Sequence, residues 1–219
     1  MNTPLRRSLR AAALLALALP LAAHAERYRV DLILFIDRSG PAGESPQPLQ
    51  VPDTARALEA FETVPLRSAG IELLPDDQFG LAEEWSRLRN SKNHQPIVRL
   101  AWLQKDPPAE RGPAIRLHWG SPFTDVATLS AQRVYPVDGS VTLLAGRYLH
   151  FEAELVYTQA DASSGELRSF RLKERRRLRR DELNHLDSPR LGVLMKATRA
   201  PEGKDAKPAA KPAAPAKKK

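Results

Sequence analysis

The stretch RYLHFEAELVY, residues 147–157, has the two-residue period of a half-buried strand. Its odd positions, Leu149, Phe151, Ala153, Leu155 and Tyr157, are apolar, while Tyr148, His150, Glu152 and Glu154 between them are mostly polar. Successive side chains of a strand point to opposite faces, so this pattern puts one face in a core and the other in water. A loop of turn-forming residues, DASSG at 161–165, follows. The next stretch, FRLKERRRLR at 170–179, alternates again. Arg171, Lys173, Arg175, Arg177 and Arg179 share one face; Phe170, Leu172 and Leu178 share the other, with Glu174 and Arg176 between them. Joined as an antiparallel hairpin, the two runs must bring their apolar faces together, because a one-residue slip would turn the apolar side outward. One register that does so sets Glu154 against Arg171, Glu152 against Lys173, His150 against Arg175 and Tyr148 against Arg177. Each cross-strand pair of opposite charge stabilises by about 0.2–1 kcal/mol.

Outward from this hairpin the pattern is mixed. Leu191–Thr198 reads as a last strand closing an antiparallel sheet. Toward the N-terminus, Tyr28–Ile36 reads as a buried strand, and Ile97–Gln104 and Ala114–Trp119 as two more. Thr54–Phe61 reads as a short helix capped by Asp53 or Thr54. Leu81–Leu88 reads as another, with Leu81, Trp85 and Leu88 on one side. The four prolines between Ser39 and Asp53 mark a loop. The expected fold class is α+β: a single antiparallel sheet packed against a few helices, with a disordered C-terminal tail.

The two ends of the chain have their own chemistry. Arg6, Arg7 and Arg10, the apolar run Ala11–Ala23 and the small-x-small site Ala23-His24-Ala25 form an export signal over residues 1–25. The run is shorter than the roughly 20 residues a spanning helix needs, so cleavage before Glu26 is expected, with no transmembrane anchor afterwards. From Pro201 the chain is almost entirely Lys, Pro and Ala, a composition with nothing large to bury. The expected division is therefore a signal peptide at 1–25, a folded domain at 26–200 and a disordered tail at 201–219. The formal net charge of +8 collects at these ends: residues 26–200 hold 25 basic and 24 acidic side chains. Export removes nucleic acid as a partner and points to the periplasm. Without cysteine the chain forms no disulfides and takes no lipoprotein anchor.

Catalytic constellations are thin. There is no cysteine nucleophile, no G-x-S-x-G turn, no phosphate-cradling glycine loop and no H-E-x-x-H pair. Glu182, His185 and Asp187 could ligate a metal if a turn gathered them, but they equally suit a polar turn. Glu152 and Glu154 could form an acid/base pair, yet cross-strand pairing with the basic strand already accounts for them. No enzymatic activity, metal or cofactor is expected. Trp85, Trp102 and Trp119 could stack on sugar rings, although the apolar neighbours of Trp102 and Trp119 suit a core. The basic run Arg171–Arg180 has two readings. It is either a structural charge ladder or a surface for anions, since the planar fork of arginine matches a carboxylate.

At this point a family resemblance enters. Gly146-Arg147-Tyr148-Leu149-His150 and its acid-bearing strand resemble the signature of the CsiV family of peptidoglycan-binding proteins. So do Phe170-Arg171-Leu172, Glu174, Arg176-Arg177-Leu178-Arg179, Glu182-Leu183, Leu186-Asp187, Pro189 and Gly192-Val193-Leu194. Tyr28-x-Val30 with Leu34-Phe35 resembles the family's first strand, and Ala101-Trp102-x-Gln104 its central one. The resemblance covers most of 27–199 and is most specific over 146–199. It departs after Glu182-Leu183, where Asn184-His185-Leu186-Asp187-Ser188 stands in place of a histidine-rich turn. The resemblance implies a non-enzymatic periplasmic protein that binds peptidoglycan. It also implies a link to wall assembly through an outer-membrane lipoprotein activator and a bifunctional penicillin-binding protein. On the residues, Arg147, Tyr148, His150, Arg175, Arg177 and Arg179 are the expected ligand-binding set. The arginines would take muropeptide carboxylates; Tyr148 and His150 would stack and hydrogen-bond. Arg147 has the opposite strand parity and enters on the motif alone. The rivals are an envelope protein–protein adaptor without wall contact, a hydrolase or metal-dependent enzyme using Glu152, Glu154 or His185, and a surface binder acting through its lysine tail.

Overall fold

The computed structural model describes residues 26–39, 47–123 and 133–201. The expected signal segment, nearly all of the tail and part of the 39–53 loop lie outside the described residues. Eleven strands run in the order β1 (Arg27–Asp37), β2 (Gln47–Pro48), β3 (Leu58–Glu59), β4 (Ile71–Leu73), β5 (His94–Lys105) and β6 (Ile115–Trp119). They continue as β7 (Val137–Ala145), β8 (Leu149–Ala160), β9 (Leu167–Arg177), β10 (Leu183–Asp187) and β11 (Leu191–Arg199). Helix α1 (Thr63–Ser68) precedes β4, and α2 (Ala82–Asn90) precedes β5.

These strands form two sheets, which corrects the expected architecture of one sheet under a few helices. Strand accounts for 51% of the described residues and helix for 11%. The first sheet has the order β10-β11-β1-β5-β4 and the second β2-β9-β8-β7-β6-β3. All pairings are antiparallel except β3 with β6. The physical reason is coverage. An apolar sheet face needs an equally broad lid, and helices of six and nine residues are too short to supply one. The second sheet supplies it. Leu32 and Leu34 of β1, Trp102 of β5 and Met195 of β11 meet Leu143, Phe151 and Leu172 of the other sheet in one core cluster. Accordingly β11, expected to extend the hairpin's sheet, pairs with β1 instead.

The central strand β1 is buried at every position from Val30 to Ile36. Its other face carries Ile33 and Phe35, which pack on Leu81 with Phe79, Trp85 and Leu88. Thus α2 lies where expected, with Leu81, Trp85 and Leu88 on its inner side. Acidic Glu83 and Glu84 in its first turn and basic Arg87 and Arg89 in its last complement the helix dipole. The close approach of β11 to this face depends on Gly192, because a Cβ there would overlap the Phe35 ring. Gly192→Ala should therefore cost about 1–3 kcal/mol through forced repacking. An unchanged urea midpoint would show that the ring simply moves aside.

The helix expected over Thr54–Phe61 does not form. The amide of Leu58 donates to the carbonyl of Ala114 (2.8 Å) and that of Ala60 to the carbonyl of Arg116 (3.2 Å). The open edge of β6 thus captures this backbone, and tertiary pairing overrides local propensity. The helix starts later, at Thr63, and places Pro65 in its first turn, where a missing amide breaks no helical bond.

Candidate functional site

The hairpin of β8 and β9 has the expected faces but a register two residues away from the one read from the sequence. His150 pairs with Arg177, Glu152 with Arg175, Glu154 with Lys173 and Val156 with Arg171. The cause is the connection, which spans 161–166. The Asp161 carboxylate accepts the amides of Ser163 (2.9 Å) and Ser164 (3.0 Å). Gly165 closes the loop in the left-handed region at φ 71°. The Ser163 hydroxyl, which also donates to this carboxylate, together with these two amides holds the Asp161 carboxyl well below its ordinary range. A slip of two residues leaves every side chain on its expected face but changes its neighbours.

Those neighbours decide which arginines are free. Glu154 pairs with Arg171 and with Lys173 at 3.1 Å, and Glu152 pairs with Arg175 at 3.3 Å. The structural reading of the ladder therefore accounts for both glutamates and for Arg175. Burial opposes the charge on Glu154, but hydrogen bonds from Lys173 and Arg171 outweigh it and lower its pKa. Such a group contributes stability above its unfolded value, about 4.3, and loses that contribution as pH falls through the lower folded value. Glu154→Gln should cost about 0.5–1 kcal/mol at neutral pH, since the pair is partly exposed. The gap between variant and parent should close as acid protonates Glu154; a gap that persists once the carboxylates are fully protonated would refute the assignment.

Arg177 has a different environment. Its guanidinium lies over the Tyr148 ring, 3.4 Å from the centroid, and Arg147 lies 5.4 Å from the same centroid. Neither arginine makes an ion pair among the described residues. Tyr148 is 38% exposed although large and aromatic. His150 sits beside Arg177 in the ladder, and its Nδ1 donates to the Tyr148 carbonyl at 3.1 Å. That carbonyl can only accept, so Nδ1 carries a proton. Arg179 stands apart: it is exposed and faces Glu182 at 3.6 Å.

Arg147, Tyr148 and Arg177 line a cavity of about 200 Å³ together with Glu26, Tyr28 and Arg180. The Tyr28 hydroxyl donates to Glu26 at 2.6 Å, and Arg199 approaches Glu26 at 3.7 Å. Burial, then this bond and the Glu26 charge, raise the Tyr28 pKa, so the phenol stays neutral. With Glu26 engaged, three guanidiniums remain at the cleft. A carboxylate entering it can take paired N–H donors from an arginine fork while an apolar ring edge lies against Tyr148. Sequence reasoning missed Arg180, the last residue of the basic run, whose signal was its place in that run. It also missed Tyr28, whose approach needs the other sheet.

The remaining candidates do not gather. No group of three potential metal ligands lies together among the described residues. Glu182 turns to Arg179, and the His185 ring stacks on Phe35 with centroids 5.8 Å apart. Trp102 is fully buried, and Trp119 packs against the core. No described helix is long and apolar enough to cross a membrane.

A family model described as "Peptidoglycan-binding protein, CsiV" matches residues 8–200. No curated protein matches the chain. Among solved structures, the type II secretin GspD from enteropathogenic Escherichia coli is similar at 11% identity and a TM-score of 0.38, covering 90% of this chain and 75% of that one. The ETEC pilotin–secretin AspS–GspD complex follows at 12% identity and 0.36, covering 90% and 54%. Aeromonas hydrophila ExeD follows at 10% and 0.34, covering 87% and 52%. The chain spans about half the length of the latter two.

Proposed function

This chain belongs to the CsiV family of peptidoglycan-binding proteins, and from that premise we propose a non-enzymatic periplasmic protein that binds the wall through the Arg147–Tyr148–Arg177 cleft. In this reading it supports wall assembly, through an outer-membrane lipoprotein activator and a bifunctional penicillin-binding protein. The observation that carries the binding site is the pair of guanidiniums on one exposed tyrosine ring, neither held by an acid among the described residues. Stem peptides of the wall present carboxylates, which suit arginine forks. His150 and Arg180 border the site, while Arg175 and Arg179 are each engaged by a glutamate.

The test is co-sedimentation with purified sacculi of the chain starting at Glu26, with and without residues 202–219, at low and physiological salt. Pelleting that survives both salt and loss of the tail is the expected result. Pelleting only with the lysine tail, or lost entirely at physiological salt, would overturn the cleft in favour of diffuse attraction. One observation favours the adaptor alternative. β2 pairs with β9 only at Arg168 and Ser169, so among the described residues the β9 edge from Phe170 to Arg177 has no strand partner. An extended segment of another envelope protein can add there. A folded chain that fails to pellet yet is protected along β9 by a partner would establish that reading instead.

A further inference from the structure

The first cleft lies at the start of β1, where Glu26 and Tyr28 form part of its lining. A second cleft lies at the other end of the same strand. It is lined by Arg38 just after β1, by Trp85 and Arg89 of α2, and by Ser91, His94 and Pro96 at the entry to β5. It is wide and shallow, about 380 Å³.

Its chemistry parallels that of the first. Trp85 is half-buried and forms an aromatic wall. The Arg99 guanidinium, 5.4 Å from its centroid and paired with Asp76, steadies the ring. Arg89 is exposed in the last turn of α2 and makes no ion pair among the described residues. The Arg38 guanidinium donates to a neutral group, the Gln95 amide oxygen at 2.6 Å, and makes no ion pair among the described residues. Ser91 bonds His94 Nδ1 at 2.8 Å, which fixes the ring at the cleft edge. Asp37, the acid beside Arg38, stands opposite His94 in the ladder and accepts the Ser39 amide at 2.7 Å, and it makes no ion pair with Arg38 or Arg89 among the described residues. Two unmatched guanidiniums beside an indole suit a sugar ring carrying a nearby carboxylate. The ring stacks on the indole face and the forks take the acid.

We propose that this is a second binding site for an acidic, sugar-bearing ligand, and that the protein is bivalent. Resting on the wall-binding reading, the inference names a second segment of the same polymer as the ligand. From Tyr28 to Asp37 the chain rises about 3.3 Å per residue, which sets the clefts roughly 30 Å apart. Their aromatic residues also belong to opposite faces of β1. Tyr28 belongs to the core between the sheets, whereas Trp85 packs on the side carrying Ile33 and Phe35. One short fragment cannot fill both clefts at once. An intact sacculus can, and linked engagement raises apparent affinity by about 10²–10⁴ without new contacts.

The experiment uses soluble disaccharide-peptide fragments from digested sacculi as one probe and intact sacculi as the other. Fragments should change the tryptophan emission of the protein. The change should vanish in Trp85→Phe and Arg89→Glu and persist in Arg177→Glu. Arg38→Gln is the second variant, because that turn is held by the Arg38 backbone. Arg89→Glu and Arg38→Gln should each weaken sacculus binding about 100-fold, yet leave fragment binding at the first cleft unaltered. The parent should clump dilute sacculi, and single-cleft variants should bind without clumping. Emission unmoved by fragments, in a protein that pellets and loses pelleting with Arg177→Glu, would overturn the second cleft and leave the first intact. A protein that neither pellets nor responds would overturn both.

Discussion

Replacing Arg116 by alanine is expected to cost roughly 3–5 kcal/mol, because it strands a buried carboxylate. Arg116 of β6 grips Asp138 of β7 with both arms of its fork, Nε to Oδ1 at 3.0 Å and Nη2 to Oδ2 at 2.8 Å. Its remaining arm reaches Glu59 of β3 at 2.8 Å. Asp138 is only 4% exposed on its side chain. The hydrogen bonds to Asp138, opposed by burial and reinforced by the charges of Asp138 and Glu59, raise the arginine's pKa further above its already high value. The guanidinium is therefore permanently charged, and the triad ties the parallel edge strand β3 to the sheet. Without it, Asp138 keeps one described donor, the Gly139 amide at 2.8 Å. A whole domain is stable by about 5–15 kcal/mol, so this one change removes a large share. Urea unfolding checks it. The double variant Arg116→Met/Asp138→Leu should recover most of the loss, since the pair's net worth against apolar replacements is small. A single-variant loss under about 1 kcal/mol would mean the pair is effectively solvated.

The same strands show how much of the molecule could be read beforehand. The faces of β8 and β9 follow from side-chain period alone, which is why Leu149, Phe151, Leu155 and Leu172 are core residues as expected. The register between them was not legible to better than two residues. Period constrains parity only, and the decision lay in the hydrogen bonds Asp161 makes inside the loop. Strand β1 did carry a signal for two covered faces. Val30, Leu32 and Leu34 are apolar at one parity and Ile33 and Phe35 at the other, the pattern of a strand between layers. What covers each face is a non-local fact, and a single sheet with helices was a consistent but wrong solution. The failed helix at Thr54–Phe61 is of the same kind, since the β6 edge that captures it lies more than fifty residues away in sequence.

The candidate site divides along the same line. Arg147, Tyr148 and Arg177 were named from motif and face, and the fold brings them together. His150 joins them through the Tyr148 carbonyl. Arg175 and Arg179 were named by the same face argument, but each meets a glutamate. Whether an arginine on an alternating face is free depends on register and on turn geometry. Both were set by residues that the alternation does not contain.

Arg177→Glu is the second large effect, and it acts on binding rather than stability. Among the described residues Arg177 has no carboxylate partner whose loss would unfold the hairpin, and its stack on Tyr148 is at the surface. The reversal removes one arginine fork from the cleft and sets a negative charge opposite an incoming carboxylate. A charge-assisted hydrogen bond contributes about 1.5–3 kcal/mol, so the affinity of this cleft for soluble wall fragments should fall roughly 10- to 100-fold. The control is Lys173→Glu, four residues earlier on the same face, where Glu154 keeps Arg171 as a partner. Both substitutions change net charge equally, so diffuse attraction predicts equal losses that shrink together as salt rises. A site predicts a large loss for Arg177→Glu, a small one for Lys173→Glu, and a difference that survives physiological salt. Equal losses would reassign the basic strand to the structural charge ladder. Unequal losses, with thermal midpoints unchanged, would fix the carboxylate beside Tyr148.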